Sequence, residues 1–321
     1  MPVLSTIALT HEANCRRADA SLAPSITKAA SKQTYYTIRF LADRERVADA
    51  YRAYAYFRWV DDVLDGEAGS GVERSVFIGR QRSILEKCYR GESPRDADIH
   101  EEMLIELMRG GEEKNNGLGQ YLCNMMRVMA FDAGRRGRLI SQSELTEYTR
   151  WLATAVTEAM HYFIGHDCYA PRDGTRYLAV TAAHITHMLR DTFDDIEAGY
   201  FNIPREVLDA NRITPFDVTS DAYRAWVRSR VQLARAYFNK GRDCLDRVEN
   251  LRCRLAGFTY ATRFEWLLNT MEREDYLLRP RYDERKSFAT GLRMGFDTLA
   301  SLFHLRGVDL SPQTVPVRKK Y

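Results

Sequence analysis

The sequence predicts an all-α protein. Apolar residues recur at helical spacing through most of its 321 residues, and almost no stretch alternates apolar and polar residues as a half-buried strand would. Hydrophobic residues make up 45% of the chain, which is enough to bury a large core. No repeat at solenoid spacing and no long linker is visible, and this favours a single helical domain.

Residues 1–30 mix serine, threonine, alanine and proline with weak periodicity, and they predict a loosely ordered or partly helical lead-in. The apolar periodicity predicts helices over residues 44–65, 75–89, 100–109, 118–131, 143–164, 177–198, 220–247, 253–278 and 284–305. Ser143 is the expected N-cap of the helix 143–164. Gly199 should end the helix 177–198, and Pro204 should prevent helix from continuing through the loop 202–204. We predict one catalytic domain over residues 31–310 and a tail over 311–321.

Charge and composition exclude several classes of protein. The formal net charge of +3 is too small for a dedicated nucleic-acid binder, and we interpret the basic cluster Arg135, Arg136 and Arg138 as a solvated loop. The six cysteines are scattered without a CxxC pair, which predicts reduced thiols in a cytoplasmic protein. No apolar run reaches about 18 residues and no signal peptide is recognisable, so we expect no membrane span.

Two aspartate-rich segments lie within strongly apolar predicted helices. The first contains an arginine and three aspartates, namely Arg58, Asp61, Asp62 and Asp65. The second has the same composition, namely Arg190, Asp191, Asp194 and Asp195. In each segment two aspartates stand four residues apart, so they share a helix face with about 5–6 Å between their Cβ atoms. A solvated acidic face would explain one such segment, but like charges among apolar neighbours in two segments require a compensating cation.

Magnesium is the cation that such paired carboxylates suit. It prefers hard oxygen ligands, keeps several waters, and binds through one or two carboxylates together with substrate phosphates. Aspartate pairs on facing helices would hold a small group of Mg²⁺ ions, with Mn²⁺ as the alternative, and a diphosphate would complete their coordination. The metals would withdraw charge from that leaving group. Zinc fits less well, because no cysteine or paired-histidine cage accompanies the aspartates.

The sequence around both segments resembles the squalene and phytoene synthase family. The first signature is YAYFRWVDDVLDG at residues 54–66, and the second runs over residues 189–195 and continues as GYFNIP at 199–204. The resemblance extends from about residue 31 to about residue 286. It includes further residues outside the signatures, namely Ser31, Lys32, Tyr148, Tyr276, Arg281 and Lys286. It implies the isoprenoid-synthase fold, an all-helical bundle around a central cavity.

The resemblance also implies roles for individual residues. The metal ligands would be the acids of both segments and one histidine, namely Asp61, Asp62, Asp65, His187, Asp191, Asp194 and Asp195. Four cations would bind the substrate's diphosphate, namely Lys32, Arg58, Arg190 and Arg281. Tyr54 would lie at the reacting carbons. The residues expected to take part in catalysis are therefore Tyr54, Arg58, Asp61, Asp65, Asp191 and Asp195.

Two histidines depart from the family pattern, which usually has Gln and Asn at the positions of His184 and His187. His187 stands four residues before Asp191, so a neutral imidazole there can still face the metals, although Mg²⁺ prefers oxygen ligands. We interpret His184 as a core histidine with a local hydrogen bond, in preference to a role at the metals. Threonines occupy positions 154 and 157, where the family commonly has glycines beside the prenyl chains, and they would narrow or polarise the cavity.

The activity that the resemblance implies is head-to-head condensation of two prenyl diphosphates. Conversion of farnesyl diphosphate to presqualene diphosphate or squalene is favoured, and a phytoene-type reaction comes next. Use of NADPH stays open, because family members that use it lack a Rossmann fingerprint. One alternative transfers the prenyl cation to water, an internal alkene or another nucleophile. A distant alternative is a non-catalytic scaffold, which the intact aspartates disfavour. An apolar product would bring peripheral membrane contact, and the oligomeric state stays open.

Overall fold

The computed structural model describes residues 21–66, 70–92, 94, 96–109 and 116–282. Within these residues the chain is helical or irregular and forms no strand, which confirms the all-α prediction. The helices, including one 3₁₀ turn, are α1 (21–30), α2 (Lys32–Leu41), the 3₁₀ turn Arg44–Arg46, α3 (Val47–Asp65), α4 (Gly71–Tyr89), α5 (Ile99–Met108), α6 (Gly117–Arg135), α7 (Gln142–Phe163), α8 (Leu178–Arg190), α9 (Thr192–Ala198), α10 (Arg205–Asn211), α11 (Asp221–Asp246) and α12 (Leu251–Arg273). The predicted helix 284–305, Lys286 and the tail lie outside the described residues.

The N-cap of helix α7 lies two residues before the predicted one. Ser141 caps the helix, because its hydroxyl accepts a hydrogen bond from the Glu144 backbone N–H at 3.2 Å. The Glu144 carboxylate accepts in return from the Ser141 N–H at 2.8 Å. This reciprocal pair needs a glutamate three residues after the serine. Ser143 has a threonine at that distance, so the prediction of Ser143 as the N-cap was wrong.

The helix predicted over 177–198 is interrupted at Asp191. Helix α8 ends at Arg190 and α9 starts at Thr192, because Asp191 adopts φ −95° and ψ 8°, outside the helical region. Gly199 ends α9 as predicted, with a left-handed φ of +86° that glycine adopts without strain. After the loop, Pro204 caps the unpredicted short helix α10. The break at Asp191 divides the second aspartate segment between two helices.

Two large clusters of buried side chains form the core. The first cluster is built mainly by helices α2–α7 and includes Tyr56, Phe57 and Leu122. The second is built by α8 and α10–α12 and includes Phe238 and Phe264. Helices α8 and α11 approach very closely at Gly241, where an added Cβ would lie 2.5 Å from the backbone nitrogen of Ala179. The fold thus has two packed halves.

The aspartate segments lie where these two halves meet. The first segment lies on α3, where Val60 and Leu64 point into the first cluster. The second begins at the end of α8, where Ile185 and Leu189 point into the second cluster. None of the helices in the described part of the chain is long and apolar enough to span a bilayer.

Candidate active site

The first aspartate segment carries more negative charge than its arginine offsets. Arg58 lies between two of its acids: Nη1 is 3.4 Å from Asp61 Oδ2, and Nη2 donates to Asp62. The side chain of Asp61 keeps 39% of its surface exposed, and the protein around it removes part of its hydration. This desolvation, together with the charge of Asp65, raises the pKa of Asp61 to about 7. The segment is therefore prepared to bind a cation.

The second segment contains one satisfied and one unsatisfied aspartate. Arg190 Nε donates to Asp191 Oδ1 at 2.5 Å, and His187 Nε2 lies 2.9 Å from Asp191 Oδ2. Burial alone would raise the pKa of Asp191, but the hydrogen bonds from His187 and Arg190 outweigh it and hold this pKa well below its usual range. Asp195 lacks such partners, and burial and the charge of Asp191 raise its pKa to about 7.

A buried ion pair on α6 connects the two halves of the protein. Arg135 Nε donates to Asp132 Oδ1 at 2.6 Å, and Arg135 Nη1 donates to Asn202 Oδ1 at 2.8 Å. Asn202 in turn donates from Nδ2 to Asp195 Oδ2 at 2.7 Å. Arg135 is only 5% exposed, so our interpretation of it as part of a solvated loop was wrong. Helix α6 runs four residues further than predicted, which keeps Arg135 one turn after Asp132 on the same face.

The first segment is joined to the loop after the second one. The hydroxyl of Tyr200 lies 3.4 Å from Asp65 Oδ1, a contact across 135 positions of sequence. Burial raises the pKa of Tyr200 to about 12, and the charges of Asp65 and Asp132 add to that rise. Asp132 also raises the pKa values of Asp61 and Asp195, so its charge acts on both segments. The loop that carries Tyr200 and Asn202 therefore connects the two segments.

Three of the predicted site residues have less definite positions. Tyr54 is half-buried on α3, one turn before Arg58, and burial raises the pKa of its hydroxyl, which bonds with the side chains of Thr34 and Ser31. Lys32 starts α2, Arg281 follows the last described helix, and both are exposed. The roles of Tyr54, Lys32 and Arg281 therefore stay predictions.

His184 is buried without the local hydrogen bond that we predicted. It is 5% exposed, and neither ring nitrogen has a partner within the described ranges. Burial lowers its pKa to about 3, which keeps the ring neutral. The ring lies 5.3 Å from the ring of Tyr148. The surrounding helices supply no acceptor here, because their backbone groups are already bonded within the helices.

The two unexpected threonines behave differently from each other. The hydroxyl of Thr154 donates to the carbonyl of Arg150 at 2.9 Å, so it is satisfied inside its own helix. The hydroxyl of Thr157 is buried without a partner in the described part of the chain. Thr157 and His184 thus leave unpaired polar atoms on α7 and α8.

Sequence reasoning did not predict which residues would contact the acids of the site. Four residues have this role, namely Asp132, Tyr148, Tyr200 and Asn202. Tyr148 donates to Asp132 Oδ2 at 3.0 Å, and the Arg135 guanidinium lies over the Tyr148 ring at 4.8 Å. The spacing of an aspartate and an arginine by three helical positions was a signal for the ion pair. No pattern in the sequence indicated which loop would contact this ion pair.

The arrangement fits a hard divalent cation held by few protein ligands at a time. Among the described side chains, no three histidines, cysteines, aspartates or glutamates already form a closed metal cluster. Magnesium does not require one, because it usually binds through one or two carboxylates and takes its other ligands from water and phosphate. In Asp61 and Asp195, burial and neighbouring acids outweigh the nearby arginines and raise the pKa, so both carboxylates are suited to this coordination.

Comparison with known proteins identifies the family. Residues 27–287 match the model of the squalene/phytoene synthase family. The chain is 29% identical over 198 residues to the presqualene diphosphate synthase of Zymomonas mobilis, and the match covers 60% of this chain and 63% of that relative. The matched region thus spans less than two thirds of the relative's length.

Solved structures share the fold. The squalene synthase HpnC from Alicyclobacillus acidocaldarius superposes with a TM-score of 0.65 at 18% identity, over 82% of this chain and 96% of that chain. A dehydrosqualene synthase in complex with a ligand superposes with a TM-score of 0.69 at 16% identity, over 90% of this chain and 98% of that chain. The all-helical fold is therefore that of these synthases, and with the family match it shows that the chain belongs to the squalene/phytoene synthase family.

Proposed function

We propose that this protein is a Mg²⁺-dependent prenyltransferase that ionises a prenyl diphosphate and condenses two such molecules head to head. One observation carries the proposal: Tyr200, in the loop after α9, contacts Asp65 of α3, and Asn202 of the same loop bonds both Asp195 and the buried Arg135 of α6. Two opposed acidic groups with an excess of negative charge suit several divalent cations and the diphosphate that bridges them.

The protein's acids would bind the metals from both sides. Asp61 and Asp65 would do so from α3, and Asp191 and Asp195 from the second segment. Three further side chains stand beside them as secondary ligands, namely Asp62, Asp194 and His187. Bound Mg²⁺ would withdraw charge from the diphosphate as it leaves.

The arginines of the two segments would change partners when substrate binds. Arg58 now bonds Asp62, and Arg190 now bonds Asp191. With these carboxylates holding Mg²⁺, each guanidinium would be free to donate to diphosphate oxygens through charge-assisted hydrogen bonds. Lys32 and Arg281 would add positive charge from α2 and from the end of the described chain. Tyr54 would lie at the reacting carbons.

We propose farnesyl diphosphate as the substrate and presqualene diphosphate as the first product, with a phytoene-type reaction next. The support is the similarity to a presqualene diphosphate synthase. Onward reduction to squalene would require NADPH, which an assay with and without this reductant tests.

A second candidate is transfer of the prenyl cation to another acceptor. The observation that favours it is the pair of unpartnered polar groups, on His184 and Thr157, buried on α7 and α8. Unpaired buried polar groups are suited to hydrogen-bond a polar acceptor such as water or an alcohol. This would yield a prenyl alcohol or a prenylated small molecule, and an internal alkene acceptor would yield a cyclic terpene.

Product analysis decides between these activities. The pure protein is incubated with Mg²⁺ and farnesyl or geranylgeranyl diphosphate, with and without NADPH, and the products are identified by mass spectrometry. We expect presqualene diphosphate from farnesyl diphosphate without reductant. Farnesol or a cyclic terpene as the sole product would favour the second candidate. Absence of pyrophosphate release from either substrate would contradict both.

A further inference from the structure

Arg263 on α12 is an inward-lying cation with no ion-pair partner among the described residues. Its Nη1 donates to the neutral Gln33 Oε1 at 2.5 Å, and its Nε is buried without an acceptor. Its guanidinium lies 4.7 Å from the ring centre of Phe264 and 5.9 Å from that of Tyr260. These rings attract a cation weakly, and they do not neutralise it.

Other buried arginines of this protein form ion pairs with acidic side chains. Arg135 pairs with Asp132, and Arg176 pairs with Glu158 through Nε at 2.7 Å. Arg242 on the neighbouring helix α11 pairs with Glu265 of α12. A buried charge without such a partner costs free energy, so an uncompensated guanidinium needs another reason to persist.

The surroundings of Arg263 connect it to the aspartate site. The Phe264 ring, over which the guanidinium lies, is 6.0 Å from the ring of His187, centre to centre. Burial lowers the pKa of Arg263, which Tyr260 opposes, and the charges of Arg190 and Asp191 act on it in opposite directions. Asp191 does not neutralise it, because that carboxylate already accepts from Arg190 and lies 2.9 Å from His187. Arg190 and Arg263 are thus two neighbouring cations with a single carboxylate, that of Asp191, between them in charge balance.

Helix α2 also contacts Arg263, through Gln33. Gln33 holds one nitrogen of Arg263, and it follows Lys32 in the first turn of α2. With Nη1 engaged, Nε and Nη2 remain as the fork that matches two oxygens of a phosphate group. A carboxylate would offset one positive charge, whereas a diphosphate brings enough negative charge for Arg263, Arg190 and Lys32 together.

We propose that Arg263 is a diphosphate-binding residue that lies between α2 and the second aspartate segment. The inference rests on the proposed function, because it takes a prenyl diphosphate as the substrate. Gln33 acts as the positioning residue that holds the guanidinium while the incoming diphosphate supplies the missing negative charge.

Calorimetric titration with inorganic pyrophosphate and Mg²⁺ tests the proposal without turnover. Arg263→Gln should weaken pyrophosphate binding by about tenfold or more, as expected for loss of a hydrogen bond between charged groups. Arg263→Lys keeps the positive charge but loses the paired guanidinium nitrogens, so its affinity for pyrophosphate should lie between that of the wild type and that of Arg263→Gln. The matched control is Arg273→Gln on the same helix, whose exposed guanidinium bonds Asn269 and Thr270. This control should bind like the wild type.

Thermal unfolding separates a ligand-binding arginine from a structural one. Without pyrophosphate, Arg263→Gln should melt at or above the wild-type temperature, because it removes an uncompensated charge. With Mg²⁺ and pyrophosphate the wild type should gain more stability than the variant. Unchanged pyrophosphate affinity in Arg263→Gln overturns the inference, and so does a lower melting temperature without ligand. If the wild type binds pyrophosphate through Arg263 but releases none from prenyl diphosphates, the proposed function fails while the binding role stands.

Discussion

The hydroxyl of Tyr200 contacts the Asp65 carboxylate at 3.4 Å, and this contact ties the end of helix α3 to the loop that follows α9. Asp65 belongs to the first aspartate segment, and Tyr200 stands five residues after Asp195 of the second. Tyr200 therefore contacts the first segment, although it belongs to the loop that follows the second. Movement of either segment disturbs this contact.

Tyr200→Phe should weaken metal binding more than it weakens the fold. The variant loses one hydrogen bond, worth about 1 kcal/mol, so we expect roughly a fivefold higher Mg²⁺ concentration for half-maximal pyrophosphate release. A Mg²⁺ titration of the initial rate measures this. Tyr169→Phe is the control, since Tyr169 is 65% exposed. An unchanged Mg²⁺ dependence in Tyr200→Phe would show that the contact does not position Asp65.

Asp61→Asn and Asp191→Asn should each reduce pyrophosphate release from a prenyl diphosphate by at least about 100-fold, because a neutral amide is a poor ligand for Mg²⁺. Continuous detection of released pyrophosphate measures the effect at saturating Mg²⁺. Asp209→Asn on the exposed surface of α10 is the control and should keep wild-type turnover. Wild-type turnover in either site variant would remove the metal model.

The pair of Asp132 and Arg135 should show strong energetic coupling. Arg135→Met leaves Asp132 buried without its cation, so we expect a loss of about 3–5 kcal/mol in the free energy of unfolding. In the double variant Asp132→Asn with Arg135→Met no charge is left buried without a partner, so most of the lost free energy of unfolding should be recovered. Urea denaturation of the two single variants, the double variant and the wild type measures the coupling. Simple additivity of the two single losses would mean that the pair does not act as a unit.

His161 should make the protein less stable as the pH falls below its ordinary pKa. Burial lowers the folded-state pKa of His161 from 6.5 to about 4, and Arg176 adds to this while Glu158 opposes it. Between those two values the unfolded chain binds the proton and the folded chain does not, so stability is full above pH 6.5 and decreases on acidification. At pH 5 the loss from this group is about 2 kcal/mol.

Denaturation at pH 7 and pH 5 isolates the contribution of His161. His161→Gln should lose about 2 kcal/mol less than the wild type over this interval. The residual slope is a balance, because His184, whose pKa is lowered, destabilises the protein on acidification, whereas Asp61 and Asp195, whose pKa values are raised to about 7, act in the opposite direction. His166→Gln, at an exposed neighbouring position, should behave like the wild type. Equal pH dependence in His161→Gln and the wild type would contradict the burial of a neutral His161.

The fold class and the acidic residues of the site were predictable, whereas the contacts that join them were not. Helical periodicity shows which face of a helix is apolar, and aspartates four residues apart identify themselves in sequence. Periodicity does not show which other helix that face meets. Arg135 was therefore interpreted as a solvated loop residue, although it is buried against Asp132 and bonds Asn202. The partner lies 67 positions away, beyond any local pattern.

The break at Asp191 was also invisible in the apolar pattern. The residues on both sides continue the same periodicity, so one helix was predicted where α8 and α9 are separate. Asp191 bonds the side chain of His187, one turn before it, and that of Arg190, the residue immediately before it, at the turn where the axis is interrupted. Local side-chain bonding of an aspartate competes with helix continuation, and sequence alone does not show which prevails.

Helix α9 is only seven residues long, and a helix of that length has little stability of its own in water. Its position depends on Asn202, which reaches Arg135 in the other half of the protein, and on Tyr200, which reaches Asp65. The arrangement of the two aspartate segments can therefore exist only after both halves of the chain have folded and docked. A ligand that contacts both segments would bind only the folded chain, so it would raise the free energy of unfolding of both halves together.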